Sequence, residues 1–534
     1  MSGPVVGIDL GTSNSVVAIV QGSKANIIPD REGRRIQPSI VSFHPNGKVL
    51  VGHEAKNRLM IDPANTVYSA KRLIGRIFRS EQVQAAAKRA PYELIEGENQ
   101  QPMVVARGKR YTIPEISAYI LRYLRGLAEA YTGEKVTQAV ITVPANFDDA
   151  QREATKSAGR IAGLEVLRIL NEPTAAALAY GYGRGVTSRV AIYDFGGGTF
   201  DITSLQLNDR IFEVLSTAGD TFLGGDDIDN RIVDYMEEVF LREHRVDLSY
   251  NLTALARLRT VAEQVKCQLS SRPKRVVQVK ELAYGQGGES LDLNFTLTVE
   301  ALNAMSRELV QRSFLICDEA LRLAELAATQ VDDVVLVGGL TRMPLIKAGV
   351  TDYFNREPRT DINPDEVVGV GAAVQAASLS RTSDAGGPSA VLLDVTPRAL
   401  GIAVVGGYTD TIIQRNVQIP VEQTRRFATG QDNQTSVRIQ VCQGESPNFL
   451  DNQPLGELLL EDLRPAIRGQ VHIDVTFEID TDGILQIRAV DVETGRQQRA
   501  RVNVLGTVTE EEMRALMEKH DELPTILDVD ESGE

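Results

Sequence analysis

The spacing of hydrophobic and polar residues divides the chain into two blocks. Up to about Ala377, short apolar runs alternate with segments of helical periodicity, as where the run 139–143 is followed by the amphipathic segment 149–162. Alternation of strands and helices along a chain is typical of an α/β fold. The pattern therefore predicts an α/β domain over residues 1–377.

The second block has the period-two pattern of antiparallel strands. In one run apolar residues alternate with polar ones, and turn signals such as Asp482-Gly483 separate this run from the next. Such segments predict a β-sandwich, which we place at residues 395–505. The alternating apolar residues are Val471, Ile473, Val475, Phe477 and Ile479.

Two further segments complete the chain. Residues 378–394 are at first small and polar, with paired glycines, and then aliphatic, which predicts an interdomain linker. Residues 506–534 include the sequence TEEE at 509–512, whose spacing is that of a capping box and predicts a short helix. Pro524 is expected to end that helix before an acidic tail.

One strand–turn–strand element occurs twice in the first block. Residues 5–20 read VVGIDLGTSNSVVAIV, and residues 190–207 read VAIYDFGGGTFDITSLQL. Each has an acidic residue at the end of a strand, followed by a turn of glycine and hydroxyl residues. Such turns bring backbone amides and hydroxyls to phosphate oxygens, and the acid suits a hydrated Mg²⁺ ion. The repeat therefore predicts two similar lobes that share a phosphate-and-metal cleft.

Other residues could complete such a cleft. Glu172 precedes a proline at a predicted helix start, from which its side chain can face the cleft. The glycine turn within 335–344 joins a strand to a helix, which suits the nucleoside end of a ligand. Glu263, Lys266 and Ser270 share one helix face by their spacing, although a solvated polar stripe would have the same spacing.

Composition narrows the classes of function. The 534 residues include 57 basic and 72 acidic side chains, a formal net charge of −15. This acidity argues against a nucleic-acid binder but not against nucleotides, whose phosphates bind backbone amides. We see no apolar run long enough to cross a bilayer and no secretory leader, so we expect a cytoplasmic protein without membrane contact. The scattered Cys267, Cys317 and Cys442 are predicted to be reduced core thiols.

Several longer motifs resemble one protein family. They are IDLGTSNS, SAKRLIG, AVITVPANF, NEPTAAALAYG, YDFGGGTFD, GDTFLGGDD, VGGLTRMP and NPDEVVGVGAAVQ. Together they resemble the seventy-kilodalton heat-shock chaperone family, in its bacterial DnaK-type branch, from Gly7 to about Leu505. The resemblance implies an α/β actin-like ATPase domain of two ribonuclease-H-like lobes, followed by a β-sandwich that binds extended hydrophobic segments of unfolded proteins. It also implies slow ATP hydrolysis that controls peptide release and capture, with ATP and Mg²⁺ as cofactors and K⁺ as a further candidate.

The resemblance also implies roles for residues of the cleft. Lys71 would orient the attacking water or the γ-phosphate, Thr199 would be a site of slow autophosphorylation, and Arg342 would stack on the base. The catalytic group would comprise Lys71, Glu172, Asp194 and Thr199. The metal's water shell or nearby ions would be held by Asp9, Glu172, Asp194 and Asp201. The ATP contacts would comprise Gly11, Thr12, Ser13, Asn14, Gly196, Gly197, Gly198, Glu263, Lys266, Ser270, Gly338, Gly339, Arg342 and Asp365.

A second set of residues would connect the ATP site to the peptide site. The resemblance implies an interdomain switch at Pro144 and Arg152, and a J-domain docking site at Arg168 and Asp394. The strand that docks on the ATPase lobes would comprise Val391, Leu392, Leu393 and Asp394. The peptide channel would be lined by Ile402, Phe427, Val437, Ile439 and Ile473, beneath an arch of Val405 and Gly430. Period-two patterning alone fits the sandwich core equally well.

The chain departs from the family pattern at three places. Asn146 stands where tyrosine is common, and the arch residues are smaller than the usual methionine and alanine. Residues 506–534 would be only a remnant of the helical lid over the peptide site. We therefore expect fast peptide exchange in every nucleotide state. The resemblance also implies a monomer whose partners are a J-domain co-chaperone and a nucleotide-exchange factor.

Three alternative functions remain open at this level. Sugar or acetate kinases share the duplicated phosphate turns, and filament-forming actin-like proteins share the two-lobed domain. Neither class has the linker and the sandwich. A lid-less family member could instead be dedicated to the assembly or regulation of one specific partner.

Overall fold

The computed structural model of the protein describes residues 3–22, 24–181, 185, 187–359, 361–380, 390–500 and 508–521. The first lobe comprises residues 3–181 without 23, the second lobe residues 187–380 without 360, and the sandwich lies in residues 395–500. Within these ranges, none of the helices combines the length and the apolar character that crossing a lipid bilayer requires.

The first lobe is built on a sheet in which β1 pairs in parallel with β11 and in antiparallel with β2. Its strands are β1 (Val5–Leu10), β2 (Asn14–Gln21), β3 (Lys24–Ile27), β4 (Gln37–Pro38), β5 (Val41–Phe43), β6 (Val49–Val51), β7 (Thr66–Val67), β8 (Glu93–Glu96), β9 (Pro102–Ala106), β10 (Lys109–Thr112), β11 (Gln138–Val143) and β12 (Glu165–Asn171). Its helices are α1 (His53–Arg58), α2 (Glu81–Arg89), α3 (Ile113–Thr132), α4 (Asp149–Ile161) and α5 (Glu172–Gly181).

Local sequence explains where the two longer helices of this lobe begin and end. At the start of α3, the Thr112 side chain accepts a hydrogen bond from the Glu115 amide, and Gly133 ends the helix with a φ of 72°. Helix α4 begins with a capping box between Asp148 and Gln151. The turn that precedes α4 belongs to the interdomain region described below.

The second lobe repeats the plan of the first, because β13 pairs in antiparallel with β14 and in parallel with β18. Its strands are β13 (Thr187–Phe195), β14 (Phe200–Asn208), β15 (Ile211–Asp220), β16 (Lys274–Tyr284), β17 (Ser290–Thr298) and β18 (Asp333–Val337). Its helices are α6 (Gly225–His244), α7 (Leu252–Leu269), α8 (Val299–Leu323), α9 (Pro344–Phe354) and α10 (Val367–Ser380). The duplicated element predicted from sequence is therefore confirmed, and with it the actin-like fold class.

Helices α5 and α10 join the two lobes in one apolar core. Ala176 of α5 and Ala372 of α10 belong to the same buried cluster as Val140 of the first sheet and Val335 of the second. Close approach is possible because Gly7 has no side chain, and a Cβ there would overlap the backbone of α10. The cleft between the lobes therefore has a closely packed apolar floor.

The sandwich has two four-stranded sheets, in the orders β21–β20–β24–β25 and β23–β26–β27–β28. The strands from the linker onward are β19 (Val391–Val395), β20 (Leu400–Val404), β21 (Tyr408–Ile413), β22 (Gln418–Ile419), β23 (Val421–Ala428), β24 (Val437–Gln443), β25 (Gln453–Leu460), β26 (His472–Ile479), β27 (Leu485–Asp491) and β28 (Gln497–Ala500). All five alternating residues of the run 471–479 are buried, as the period-two pattern predicted. Burial of each such side chain contributes about 1.5–3 kcal/mol.

The segment predicted as a linker is partly regular structure. Ser378 and Ser380 lie in the last turn of α10, and β19 adds to the second lobe by pairing in parallel with β15. Strand β22 then pairs with β19, so the sheet runs on toward the sandwich. The predicted linker 378–394 thus overlaps a helix at one end and a strand at the other, and residues 381–389 lie outside the described residues.

Helix α11 (Glu510–Asp521) lies on the first lobe. The predicted capping box is present, because Thr509 N–H donates to Glu512 Oε2 at 2.8 Å and Glu512 N–H donates to Thr509 Oγ1 at 3.2 Å. Met513 is buried in the core of the first lobe, and Lys519 Nζ lies 2.6 Å from Glu115 Oε1. The tail after Asp521, including Pro524, lies outside the described residues.

Candidate functional site

The two glycine-containing turns meet in the cleft between the lobes. A Cβ on Gly197 would overlap Ser13 Oγ, and a Cβ on Gly198 would overlap the side chain of Thr12. The turn after β13 therefore needs glycine to approach the turn after β1 so closely. The sequence repeat predicted this meeting, and the structure brings the two turns together.

Two adjoining cavities occupy this cleft. The inner one is lined by Asp9, Gly11, Thr12, Ser13, Asn14, Lys71, Glu172, Asp194, Gly196, Gly197, Thr199, Gly338, Gly339 and Asp365. The outer one, of about 310 Å³, is lined by Glu263, Lys266, Ser270 and Arg342, and shares Thr12, Ser13, Asn14, Gly196, Gly197, Gly339 and Asp365 with the inner one. The structure thus brings most of the predicted ATP contacts into one continuous cleft.

Buried carboxyl groups give the inner cavity an unusual electrostatic character. Burial, and then the charge of Glu172, raises the pKa of Asp9 to about 7. Burial likewise raises the pKa of Asp201 to about 8, and that of Asp194 well above its usual value. Lys71 Nζ, at 2.5 Å from Glu172 Oε1, supplies a positive charge among these acids. A cation bound here would lower these pKa values and favour the ionised carboxylates.

These acids do not form a direct metal-binding cluster. Among the residues that the structure describes, no group of three or more His, Cys, Asp or Glu side chains is close enough to hold one ion. Asp9 Oδ1 instead accepts a hydrogen bond from Thr142 Oγ1 at 3.2 Å, and Asp201 Oδ1 accepts one from Asn146 Nδ2 at 2.6 Å. The carboxylate oxygens of these acids therefore suit a hydrated ion, which they would bind through its water molecules.

The predicted adenosine contacts already have partners within the protein. Lys266 Nζ donates to Asp229 Oδ2 at 2.8 Å, and Lys56 Nζ donates to Glu263 Oε2 across the cleft at 2.8 Å. The guanidinium of Arg342 donates to Asp365 Oδ2 at 2.6 Å. This ion pair holds the guanidinium at the mouth of the outer cavity, and its stacking on a base stays a prediction.

Two features of the cleft were not predicted from sequence. Cys267 is exposed and lines the outer cavity, so the prediction that all three cysteines are core thiols is wrong for this residue, while Cys317 and Cys442 are buried. Arg72 of the first lobe also pairs with Asp227 of the second at 2.6 Å. Nothing in local sequence indicates this pair, because its members are far apart along the chain.

Arg152 joins the first lobe to the sandwich. Its guanidinium donates to the carbonyls of Ala145 and Phe147 at 3.0 and 3.1 Å, and to the Asp482 carbonyl of the sandwich at 3.4 Å. The predicted switch residue Pro144 begins the same turn, in which its carbonyl accepts from the Phe147 N–H at 3.1 Å. Arg152 therefore lies where the sandwich, the turn and α4 meet.

Asp394 and Arg168 also contact neighbouring elements. Asp394 Oδ2 accepts hydrogen bonds from Asn171 Nδ2 at 2.8 Å and Thr174 Oγ1 at 3.1 Å, next to the docked β19. Arg168 donates to the Thr481 carbonyl of the sandwich at 3.4 Å. Their role in J-domain docking stays a prediction. Of the predicted docking strand, Val391, Leu392 and Leu393 pair with β15.

The sequence also missed the side chains that complete this interface. Lys156 Nζ donates to Asp482 Oδ2 at 2.6 Å, and Leu485 N–H donates to Asp149 Oδ1 at 2.6 Å. Gln453 Nε2 donates to Asp148 Oδ2 at the same distance, 2.6 Å. Asp482 was predicted only as a turn residue, because the turn signal contains no information about its partner.

The predicted peptide channel is divided between core and surface. Ile402, Ile439 and Ile473 are buried in the sandwich core, and Phe427 and Val437 pack against that core as half-buried residues. The arch residues lie together, because a Cβ on Gly430 would be 3.8 Å from Val405 Cγ2, and Val405 is 88% exposed. The packing of the three isoleucines is that of core residues, so their role in a channel stays a prediction.

Comparison of the chain with known proteins identifies its family. A family model described as "Hsp70 protein" matches residues 5–527. The "Chaperone protein DnaK" of Buchnera aphidicola subsp. Schizaphis graminum (strain Sg) is 44% identical over 520 residues, which cover 96% of this chain and 81% of that protein. The matched range includes the sandwich, which kinases and actin-like filament proteins lack, and no comparison favours a member dedicated to one partner. The chain belongs to the Hsp70 family and is an ATP-dependent chaperone with ATPase activity.

Proposed function

We propose that ATP in the cleft between the lobes controls how the sandwich holds extended hydrophobic peptides. The observation that carries the proposal is the docking of β19 on β15, in the sheet whose β13–β14 turn lines the cleft. A change in the cleft can therefore reach the sandwich through one continuous sheet. Release of β19 would free the sandwich, and its docking would hold the sandwich in place.

The cleft residues suit the phosphates of ATP. The turns 11–14 and 196–199 offer backbone amides and the hydroxyls of Thr12, Ser13 and Thr199 around the inner cavity. Amides converging in this way form a concave anion site, and the glycines allow phosphate oxygens to reach them. The outer cavity would take the adenosine, with Glu263, Lys266 and Ser270 on one face of α7 and Arg342 opposite.

The buried carboxylates would hold Mg²⁺ through its water molecules, with K⁺ as a further candidate for a neighbouring site. When bound there, Mg²⁺ would supply positive charge that stabilises the charge developing on the phosphates. Asp9, Asp194 and Asp201 would accept hydrogen bonds from its waters. Their raised pKa values support this proposal, because without a cation so many acids cannot all ionise in one buried place.

Lys71 is the residue placed to act on the reaction. Its Nζ is buried, lines the inner cavity and is oriented by Glu172 Oε1 at 2.5 Å. It would orient the attacking water or the γ-phosphate, since phosphoryl transfer depends mainly on positioning and charge stabilisation. Thr199 lines the same cavity, and its hydroxyl would attack the γ-phosphorus in a slow side reaction that releases ADP.

The family resemblance supports our proposal for partners and location. Unfolded segments would add to the sandwich as extended strands, with main-chain hydrogen bonds giving affinity and apolar pockets giving specificity. A J-domain co-chaperone and a nucleotide-exchange factor would regulate the cycle of a monomer. We propose a cytoplasmic location, with residues 1–377 as ATPase domain, 378–394 as linker, 395–505 as peptide-binding domain, and 506–534 as a segment with a short helix and an acidic tail.

Two measurements on the full chain test the proposal. Single-turnover ATP hydrolysis should fall at least 100-fold in Lys71→Ala, by an order-of-magnitude estimate for a group that positions the reacting atoms, while the exposed Lys347→Ala serves as a matched control. Dissociation of a fluorescent leucine-rich heptapeptide should be faster with ATP than with ADP. Equal dissociation rates with both nucleotides would refute the coupling.

A further inference from the structure

One buried hydrogen bond connects the first lobe to a carboxylate of the second. Asn146, in the turn between β11 and α4, donates from Nδ2 to Asp201 Oδ1 at 2.6 Å. Both residues are buried, with Asn146 5% and Asp201 1% exposed. Asp201 lies near the start of β14, so this contact ends beside the turn 196–199, which lines the inner cavity.

The contact between Asn146 and Asp201 has room because residue 219 is a glycine. Gly219 on β15 pairs with Asp201, and a Cβ on Gly219 would overlap both Asn146 Nδ2 and Asp201 Oδ1. The amide of Asn146 therefore occupies a place that only glycine leaves open. The motif resemblance does not supply this contact, because tyrosine is common at this position and a phenol has no amide to donate.

Arg152 fixes the backbone on both sides of Asn146. Its Nη2 donates to the Ala145 carbonyl at 3.0 Å and its Nε donates to the Phe147 carbonyl at 3.1 Å. One planar guanidinium thus holds the carbonyls of the two residues that flank Asn146. The same guanidinium donates through Nη1 to the Asp482 carbonyl of the sandwich at 3.4 Å.

The sandwich in turn buries Arg152. A Cβ on Gly483 would lie 3.4 Å from Arg152 Cζ, and Arg152 is 4% exposed. When the sandwich leaves this surface, Arg152 loses the Asp482 carbonyl and gains solvent on that side. Water then competes for the hydrogen bonds that Arg152 donates to the carbonyls of residues 145 and 147. The turn between β11 and α4 is therefore held less firmly.

We propose that Asn146 is a positioning residue that relays docking of the sandwich to the Asp201 carboxylate. The inference rests on the proposed function, in which Asp201 helps to hold the hydrated cation at the phosphates. In the docked state Arg152 fixes the turn, and the amide of Asn146 fixes Asp201. A displacement of about 1 Å at a catalytic centre can change a rate about 100-fold, so this short relay suffices to make hydrolysis respond to docking.

Two variants and one control separate a relay from a merely structural hydrogen bond. Asn146→Ala removes the side-chain donor, and Asn146→Asp keeps the volume but places a second carboxylate beside Asp201. The control, Ser42→Ala, removes the buried 2.9 Å hydrogen bond to Thr66 in the first lobe, away from the interface. Asn146→Ala and Ser42→Ala each remove one buried side-chain hydrogen bond, so the two variants are matched in this respect.

The first readout is the ratio of single-turnover ATP hydrolysis with and without saturating leucine-rich heptapeptide, together with the affinity for a fluorescent ADP analogue. We expect the ratio to fall at least threefold in Asn146→Ala and further in Asn146→Asp, and to stay at the wild-type value in Ser42→Ala. The second readout is amide hydrogen exchange with ATP, before and after peptide addition. In Asn146→Ala, addition of the peptide should change the protection of β19 as it does in the wild type. The change that the peptide causes in the protection of β14 should be lost.

The outcomes distinguish the relay from the proposed function. The relay is overturned if a folded Asn146→Ala variant has the wild-type ratio of hydrolysis with and without peptide, and if the protection of its β14 changes as in the wild type. A wild-type protein whose hydrolysis does not respond to the peptide would overturn the proposed function, and the relay with it. If Asn146→Ala does not fold, Gly219→Ala tests the same contact by filling its space, and an unaltered ratio there would equally overturn the relay.

Discussion

Asp482 gives the sharpest test of interdomain docking. Its carboxylate accepts hydrogen bonds from Lys156 Nζ at 2.6 Å and from the Ile169 N–H at 3.2 Å, both in the first lobe. Asp482→Ala removes both bonds from the docked state. It also leaves the Ile169 N–H buried without this acceptor, and a buried unpaired donor destabilises the state that contains it.

The size of the effect follows from the two bonds. The bond from the Ile169 N–H is made to a charged carboxylate, and such a bond contributes about 1.5–3 kcal/mol, while a solvent-exposed ion pair contributes about 0–1 kcal/mol. The Lys156 side chain is 26% exposed, so water replaces part of the lost contact. Docking should therefore weaken by about 2–3 kcal/mol, which corresponds to about a 30- to 150-fold change in the docking equilibrium.

Strand β19 reports this equilibrium, because it pairs with β15 and its Val391 N–H donates to the Arg210 carbonyl at 2.9 Å. The chain contains no tryptophan, so amide hydrogen exchange is a better probe than intrinsic fluorescence. With a non-hydrolysable ATP analogue bound, protection of β19 should fall by the same factor in Asp482→Ala. Protection of α3, inside the first lobe, should not change.

A matched control removes an acidic residue that does not touch the interface. Glu457 pairs with Arg438 within the sandwich at 3.6 Å, and both side chains are exposed. Glu457→Ala should change protection of β19 by less than about twofold, because exposed ion pairs contribute little. Wild-type protection of β19 in a folded Asp482→Ala would refute our account of docking.

Four further predictions follow from single groups. Burial at the interface raises the pKa of Asp149 from 3.8 to about 7, so its contribution to docking is fully present below about pH 3.8 and lost as the pH rises through about 7. Asp149→Asn should remove this pH dependence from the hydrogen exchange of β19. Lys71→Ala should lower the hydrolysis rate and leave the affinity for a fluorescent ATP analogue within about threefold of the wild type. Met513→Ala should weaken the packing of α11 on the first lobe by about 2–3 kcal/mol, measured by hydrogen exchange of α11. The double change Val405→Met with Gly430→Ala should slow peptide dissociation severalfold, measured with a fluorescent heptapeptide, because a larger arch covers the peptide more completely.

Each of these predictions has an outcome that contradicts it. An Asp149→Asn variant with the wild-type pH profile would show that another group controls the interface. Lost ATP affinity in Lys71→Ala would make this lysine a binding residue. Unaltered exchange of α11 in Met513→Ala would mean that its ion pairs hold it, and unaltered peptide dissociation would exclude the arch as the barrier.

The sequence predicted the fold more completely than the sites. The β1–β2 and β13–β14 hairpins, the period-two strands of the sandwich and the capping box at 509–512 were all predicted, because each depends on neighbours a few residues apart. The meeting of the two glycine turns was also predicted, because a repeated element implies two similar lobes.

The sites were predicted only where a motif marks them. Lys71, Glu172 and Asp194 were assigned from motifs, and the structure places them around one cavity. Cys267 was assigned to the core although it lines the outer cavity, because helical periodicity does not indicate which face of α7 meets a cleft. The isoleucines of the predicted channel could not be separated from core residues, because both alternate with period two.

The sequence by itself determined the two-lobed ATPase, the sandwich and the two glycine-containing turns of this protein, because strand alternation, glycine turns and caps are local properties of the chain. Only the tertiary structure decided how these parts act on one another. The contacts of Arg152 with the Asp482 carbonyl, and of Asn146 with Asp201, join residues from distant parts of the sequence. Such contacts depend on how whole elements pack, and no local pattern encodes them. For this reason, the proposed route from the cleft to the sandwich could be traced only through the contacts of the folded chain.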